Sequence, residues 1–132
     1  MPLRYVQDDA GHRIKVTVTD PITARDLHAM VERQFAEGAW MYSMMVDART
    51  LANPPTADDI RAILVRVLEL TAVQGPRGPI AFVARQSAAI SAAQKYVHFG
   101  GSQECFEVFW DLTEAEHWLV GQTASAATHL KS

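Results

Sequence analysis

Four side chains stand out for the chemistry they offer: Asp47, Arg49, Thr50 and Arg85. Asp47 and Arg85 each close a short apolar run that reads as a strand. If those strands are parallel neighbours, both residues reach the rim where the strands finish, with Arg49 nearby. In open α/β sheets ligands gather at that carboxyl edge. Guanidinium groups recognise carboxylate and phosphate through planar, two-point hydrogen bonding. The group would therefore bind a small anion, a polar head group or a partner protein. A structural ion pair that tethers the loop explains the same residues. Thr50 is a candidate phosphoacceptor, since a phosphate there would add up to about two negative charges beside Asp47. An ordinary loop threonine is the plainer alternative.

Other chemistry has less support. Cys105 opens a predicted strand, and a small buried hydrophobe is the simpler reading of it. The histidines at 12, 28, 98, 117 and 129 share no i, i+4 spacing and join no cysteine pair, so no metal site is expected. Nucleophile, base and orienting group never come together in one set, so the chain is read as non-enzymatic, with no catalytic residue and no cofactor.

A set of elements must position these residues. The stretch 41–56, MYSMMVDARTLANPPT, reads as a buried strand ending in Asp47, then a loop, then a helix start. Glu37-Gly38 before it and Asn53-Pro54-Pro55 after it leave too little room for a helix. Upstream, 3–7 and 12–18 alternate apolar and polar residues around Asp8-Asp9-Ala10-Gly11. They read as an antiparallel hairpin, with Gly11 at the position that wants φ > 0. Thr23 and Asp26 open a helix with Leu27, Met30, Val31 and Phe35 on one face. Thr56 caps a second helix, whose stripe is Ile60, Ile63, Leu64, Val67 and Leu68. Gly75-Pro76-Arg77-Gly78-Pro79 is a turn, 80–84 is a strand, 88–99 is a helix stopped by Gly100-Gly101, and 105–110 is the last strand. Thr113-Glu114-Ala115-Glu116 reads as the capping box of a short final helix.

The order is β-β-α-β-α-β-α-β-α. It predicts an α/β fold with a five-stranded, mostly parallel sheet and an N-terminal antiparallel hairpin. A chain of 132 residues is read as a single domain over 1–120, with 121–132 a frayed or disordered C-terminal tail. A hydrophobic content of 48% argues against disorder through the rest. The net charge of −3 has no basic stripe, which argues against nucleic acid. The one cysteine rules out an internal disulfide and points to a cytoplasmic protein. No signal peptide or transmembrane segment is expected.

Several stretches resemble the SpoIIAA-like group of small bacterial domains, which shares the STAS (anti-sigma-factor antagonist) architecture and is related in architecture to CRAL-TRIO lipid carriers. They are Val46-Asp47-Ala48-Arg49, Thr56-Ala57-Asp58-Asp59-Ile60, Pro79-Ile80-Ala81-Phe82-Val83-Ala84, and the run from Val108 through Trp110-Asp111 to Trp118-Leu119. The resemblance implies a binding or regulatory domain. In the best-known STAS domains a serine at the start of the helix after the central strand is phosphorylated. This chain has no Asp-Ser-Ser-Gly signature there, and Thr50 and Thr56 are the hydroxyls of its loop.

Two functions follow as expectations. The preferred one is a non-enzymatic STAS-like module that binds a partner protein or small ligand near Asp47, Arg49, Thr50 and Arg85. The alternative is a carrier of a lipid or other small apolar ligand, with Met44, Ile63, Val67 and Tyr96 as candidate pocket walls and the methionines at 41, 44 and 45 as adaptable lining. The small-residue stretch SAAISAA at 87–93, or an exposed strand edge, offers a surface for a second copy, so a homodimer is one assembly the sequence allows.

Overall fold

The computed structural model describes residues 2–100 and 105–131, with 123–131 described by their backbone alone. Gly101, read above as part of a helix stop, lies outside the described residues, as does the side chain of His129.

Strand β1 (Leu3–Asp8) pairs antiparallel with β2 (Arg13–Val18). The alternation that predicts β2 is visible in its burial: Ile14, Val16 and Val18 point into the core. The turn between the strands differs from expectation. His12, not Gly11, takes the left-handed conformation, at φ 51°. The Gly11 N–H donates to Asp8 Oδ1 (3.1 Å), and that carboxylate fills the space a Cβ would need.

Helix α1 (Ala24–Ala36) starts at a reciprocal cap. The Asp26 N–H donates to Thr23 Oγ1 (3.2 Å), and the Thr23 N–H donates to Asp26 Oδ2 (3.0 Å). Strand β3 (Ser43–Ala48) starts later than its apolar run suggests. Trp40 is buried in the preceding turn, while Met41 is 67% exposed. Helix α2 (Ala57–Gln74) begins at Thr56, whose hydroxyl accepts the Asp59 N–H (3.2 Å). It ends at Gly75, whose φ of 93° is open to glycine at little cost. Strand β4 (Ile80–Ala84), helix α3 (Ser87–Gly100), strand β5 (Phe106–Phe109) and helix α4 (Leu112–Lys131) complete the chain.

Two expectations about α4 are corrected. Its cap is Asp111, whose carboxylate accepts the Thr113 N–H (3.3 Å), rather than Thr113. Glu116 is thereby left to pair with Arg13 of β2 (2.7 Å). The helix is also not short: its backbone runs from Leu112 to Lys131.

The sheet runs β1-β2-β3-β4-β5, with β2 to β5 parallel and β3 in the centre. Successive residues of β3 serve opposite faces. Met44, Val46 and Ala48 join the core beneath α1, α2 and α3, while Met45 packs with Ala81 and Val83 against Ala115 and Leu119 of α4. Burying a side chain such as Ile14 or Met44 stabilises the fold by about 1.5–3 kcal/mol. The alanines at 89 and 93 are buried, so the small-residue face of α3 packs within its own chain. Among the described residues, no helix is long and apolar enough to cross a membrane.

Candidate functional site

The carboxyl rim and a cavity beneath α1, α2 and α3 lie on opposite faces of the sheet. Asp47 is one residue from the end of β3 and shares the α4 face with Met45. It does not meet Arg85. Arg49 Nε donates to Asp47 Oδ1 (2.9 Å), Arg49 Nη2 donates to Oδ2 (3.0 Å), and the Arg49 N–H donates to Oδ1 (3.2 Å). A carboxylate satisfied so completely by a residue two positions away has no need of a cation on the next strand. Partial burial pushes the Asp47 pKa up. The hydrogen bonds and charge of Arg49, with Lys15, outweigh that and hold the carboxyl below its ordinary range.

Arg85 turns the other way. Its Nε donates to the carbonyl of Trp110 (3.2 Å), and its guanidinium lies 5.6 Å from the Trp110 ring centroid. Thr50 is exposed in the turn after Arg49. The expected floor of Asp47 and Arg85 thus resolves into two separate arrangements, one at the exit of β3 and one between the exits of β4 and β5.

The loop after β3 has an anchor that sequence reasoning overlooked. The Asp20 carboxylate accepts the N–H groups of Ala52 and Asn53, both at 2.9 Å. This holds Leu51, Pro54 and Pro55 against the core.

Those three residues help to line the cavity, a space of about 120 Å³ between the sheet and the three-helix layer. Met44, Ile63 and Tyr96, all candidate pocket residues, line it. Val67 does not: it packs with Val31, Trp40 and Leu70 in an adjoining cluster. The methionines divide, with Met44 on the cavity, Met45 facing α4 and Met41 exposed.

The wall is aliphatic and aromatic apart from the Tyr96 hydroxyl and one charged group, Arg77. Arg77 sits in the turn between α2 and β4 and is 8% exposed. Its Nε donates to Gln34 Oε1 (2.8 Å), and its guanidinium lies 5.1 Å from the Trp40 ring centroid. Gln34 is fully buried, and its Nε2 donates to the carbonyls of Ala39 (3.1 Å) and Trp40 (3.3 Å). The Trp40 indole N–H in turn donates to the Gly75 carbonyl (3.0 Å). Arg77 Nη2 is buried and has no hydrogen-bond partner, and Arg77 forms no ion pair among the described residues. Buried polar groups are nearly always satisfied, and buried charges are nearly always paired.

The sequence carried two signals for this arrangement. Gln34 falls at helical spacing on the same face as Leu27, Met30 and Val31, where a polar residue needs a buried partner. Arg77 is a lone charge within a Gly/Pro turn that leads into a buried strand.

Cys105 is exposed rather than buried, and its thiol donates to the Gln122 amide oxygen (3.6 Å). Among the described residues, no three His, Cys, Asp or Glu side chains converge as metal ligands would. Comparison with protein-family models, curated proteins and solved structures finds no match to this chain.

Proposed function

We propose that this chain is a non-catalytic binding protein that takes a small apolar ligand between its sheet and its three-helix layer, acting as a carrier or a ligand-responsive module. The cavity wall carries this reading: about 120 Å³ lined by side chains such as Val18, Met44, Val46, Ile63 and Phe82. Ligand sites are typically concave and apolar, with a few placed polar groups. An apolar void of roughly 150 Å³ in a protein core stays dry and takes up benzene. The ligand is therefore small, with a tail the size of a six-carbon chain or a single ring.

Titration of ¹⁵N-labelled protein with 1-hexanol tests the reading. Saturable shifts are expected at the amides of Met44, Ile63 and Ala93, with a rise in melting temperature, because a ligand bound to the folded state alone stabilises by mass action. No shift at these amides up to the solubility limit of the alcohol would remove it.

A second reading, partner binding of STAS-like type at the carboxyl rim, is favoured by Trp110. This ring is 60% exposed with Arg85 over its face, and tryptophan and arginine are the side chains most enriched at protein–protein hot spots. On this reading Thr50 is the phosphoacceptor, and a phosphate beside Asp47 and Arg49 releases or recruits the partner. Pull-downs from the source cell should then differ between wild type, Trp110→Ala and Thr50→Glu. Identical partner sets for all three would count against it.

A further inference from the structure

We propose that two copies of this chain pair through the outer edge of β1, antiparallel about a two-fold axis at Val6, and so join their sheets into one. This stands apart from the apolar-ligand reading. Two independent observations carry it: an open strand edge, and a charge pattern along that edge that complements itself.

β1 is the terminal strand of the sheet, regular over six residues with no proline among them, whereas β5 at the opposite end has four. The hairpin sets its hydrogen-bonding phase. Thr19 stands opposite Pro2 in the register and donates its N–H to the Pro2 carbonyl (2.8 Å). Bonded positions in an antiparallel pair recur every second residue, so Arg4, Val6 and Asp8 turn their N–H and C=O groups to β2. Leu3, Tyr5 and Gln7 turn theirs outward, where no strand pairs with them among the described residues. Such an edge is a template for another strand.

The side chains choose the occupant and the register. A two-fold pair sets the strand against itself. Outward-bonding positions must face one another, so the axis falls on a residue. An axis at Arg4 or Asp8 sets like charges face to face, and one at Tyr5 or Gln7 sets a charge against Val6. An axis at Val6 sets Val6 against its own copy and Arg4 against Asp8 of the second copy, twice over. Tyr5 and Gln7 then exchange backbone hydrogen bonds across the axis. Opposite charges directly across a strand pair are favourable and like charges unfavourable. Arg4 and Asp8 are exposed and form no ion pair among the described residues, and Val6 is 48% exposed. α4 packs on β3, β4 and β5, which leaves this end of its face clear.

Sedimentation velocity on the full chain, from about 10 µM to 1 mM, tests the pairing. One strand edge is a small interface, so the dimer should be reversible, with a Kd on the order of 100 µM. The Tyr5 and Gln7 amides should resist hydrogen exchange at high concentration and lose that protection on dilution. Arg4 is the charge to vary, since Asp8 also holds the hairpin turn through the Gly11 N–H. Arg4→Glu should weaken association about tenfold, because both cross-strand pairs turn repulsive. Val6 and its copy would face each other at a non-bonded position, where Cα atoms lie about 4.5 Å apart, within the span of a disulfide. Val6→Cys in a Cys105→Ser background should therefore cross-link under mild oxidation.

A wild type that stays monomeric at the highest concentration overturns the proposal, and Arg4 and Asp8 would then be charges that guard the edge. A dimer that leaves Tyr5 and Gln7 unprotected and ignores Arg4→Glu overturns it as well, placing the contact elsewhere. Protection at Tyr5 and Gln7 without the Val6→Cys cross-link overturns the axis at Val6. Should a variant not fold, the exchange of the wild-type amides on dilution decides alone.

Discussion

Asp47 and Arg49 form a closed unit: three hydrogen bonds run between residues two positions apart, and the acid is the more deeply buried member. The consequence for pH has a definite sign. The folded-state pKa of Asp47 lies below its ordinary value. Its contribution to stability is therefore present in full above the ordinary carboxylate range and lost as pH falls through the lower folded value. Arg49→Met removes the groups that lower that pKa and leaves the burial that raises it. The variant should be less stable than wild type at pH 7, and the gap should be smaller at pH 3, nearer the pH at which the wild-type acid takes up its proton. Urea denaturation at the two pH values measures the gap, and ¹³C titration of the Asp47 carboxyl measures the shift directly. An Asp47 titration unchanged in Arg49→Met would show that Arg49 does not set it.

At the scale of elements, most boundaries were legible because their causes are local. The Thr23–Asp26 box and the Thr56 cap each depend on a few adjacent residues, and each stands where the sequence placed it. Alternation gave β2, and apolar runs between breakers gave β3 and β4. Failures came where neighbours compete for one role. Asp111 and Thr113 are both good caps, and Asp111 prevails by accepting the N–H of Thr113 itself. Gly11 can take positive φ freely, yet the Asp8 carboxylate draws its N–H into the turn and the left-handed position passes to His12. The carboxyl rim was legible only as a place. That Asp47 and Arg85 both end parallel strands follows from order, but partner choice is decided over a few ångströms. There Arg49 reaches Asp47 from its own loop, and Trp110 takes Arg85. The cavity was half legible: Met44, Ile63 and Tyr96 carry the right apolar character, whereas Arg77 looked like one more turn residue. Its burial depends on Trp40 and Gln34, more than 35 positions earlier in the chain.

Across the whole molecule, the sheet separates two kinds of surface. α4 alone covers one face, with the polar rim at its edge, while α1, α2 and α3 cover the other and leave a void beneath them. Such a void is a deficit in packing. Unfilled apolar space in a core costs stability, because the atoms that line it lack packing partners on one side. A core under selection for stability alone would close it, and substitutions that fill such spaces are among the readiest routes to a more stable protein. Ala93 is buried on α3 and lines the void. Ala93→Leu extends three carbons into that space while keeping a strong helix former in place. It should raise the unfolding free energy by about 1 kcal/mol, part of the deficit, and should abolish the 1-hexanol response at Met44 and Ile63. Gain of stability with loss of binding is the signature of a space maintained for an occupant. A variant that loses stability and still binds the alcohol would place the ligand elsewhere, and the void would then be only an imperfection of packing.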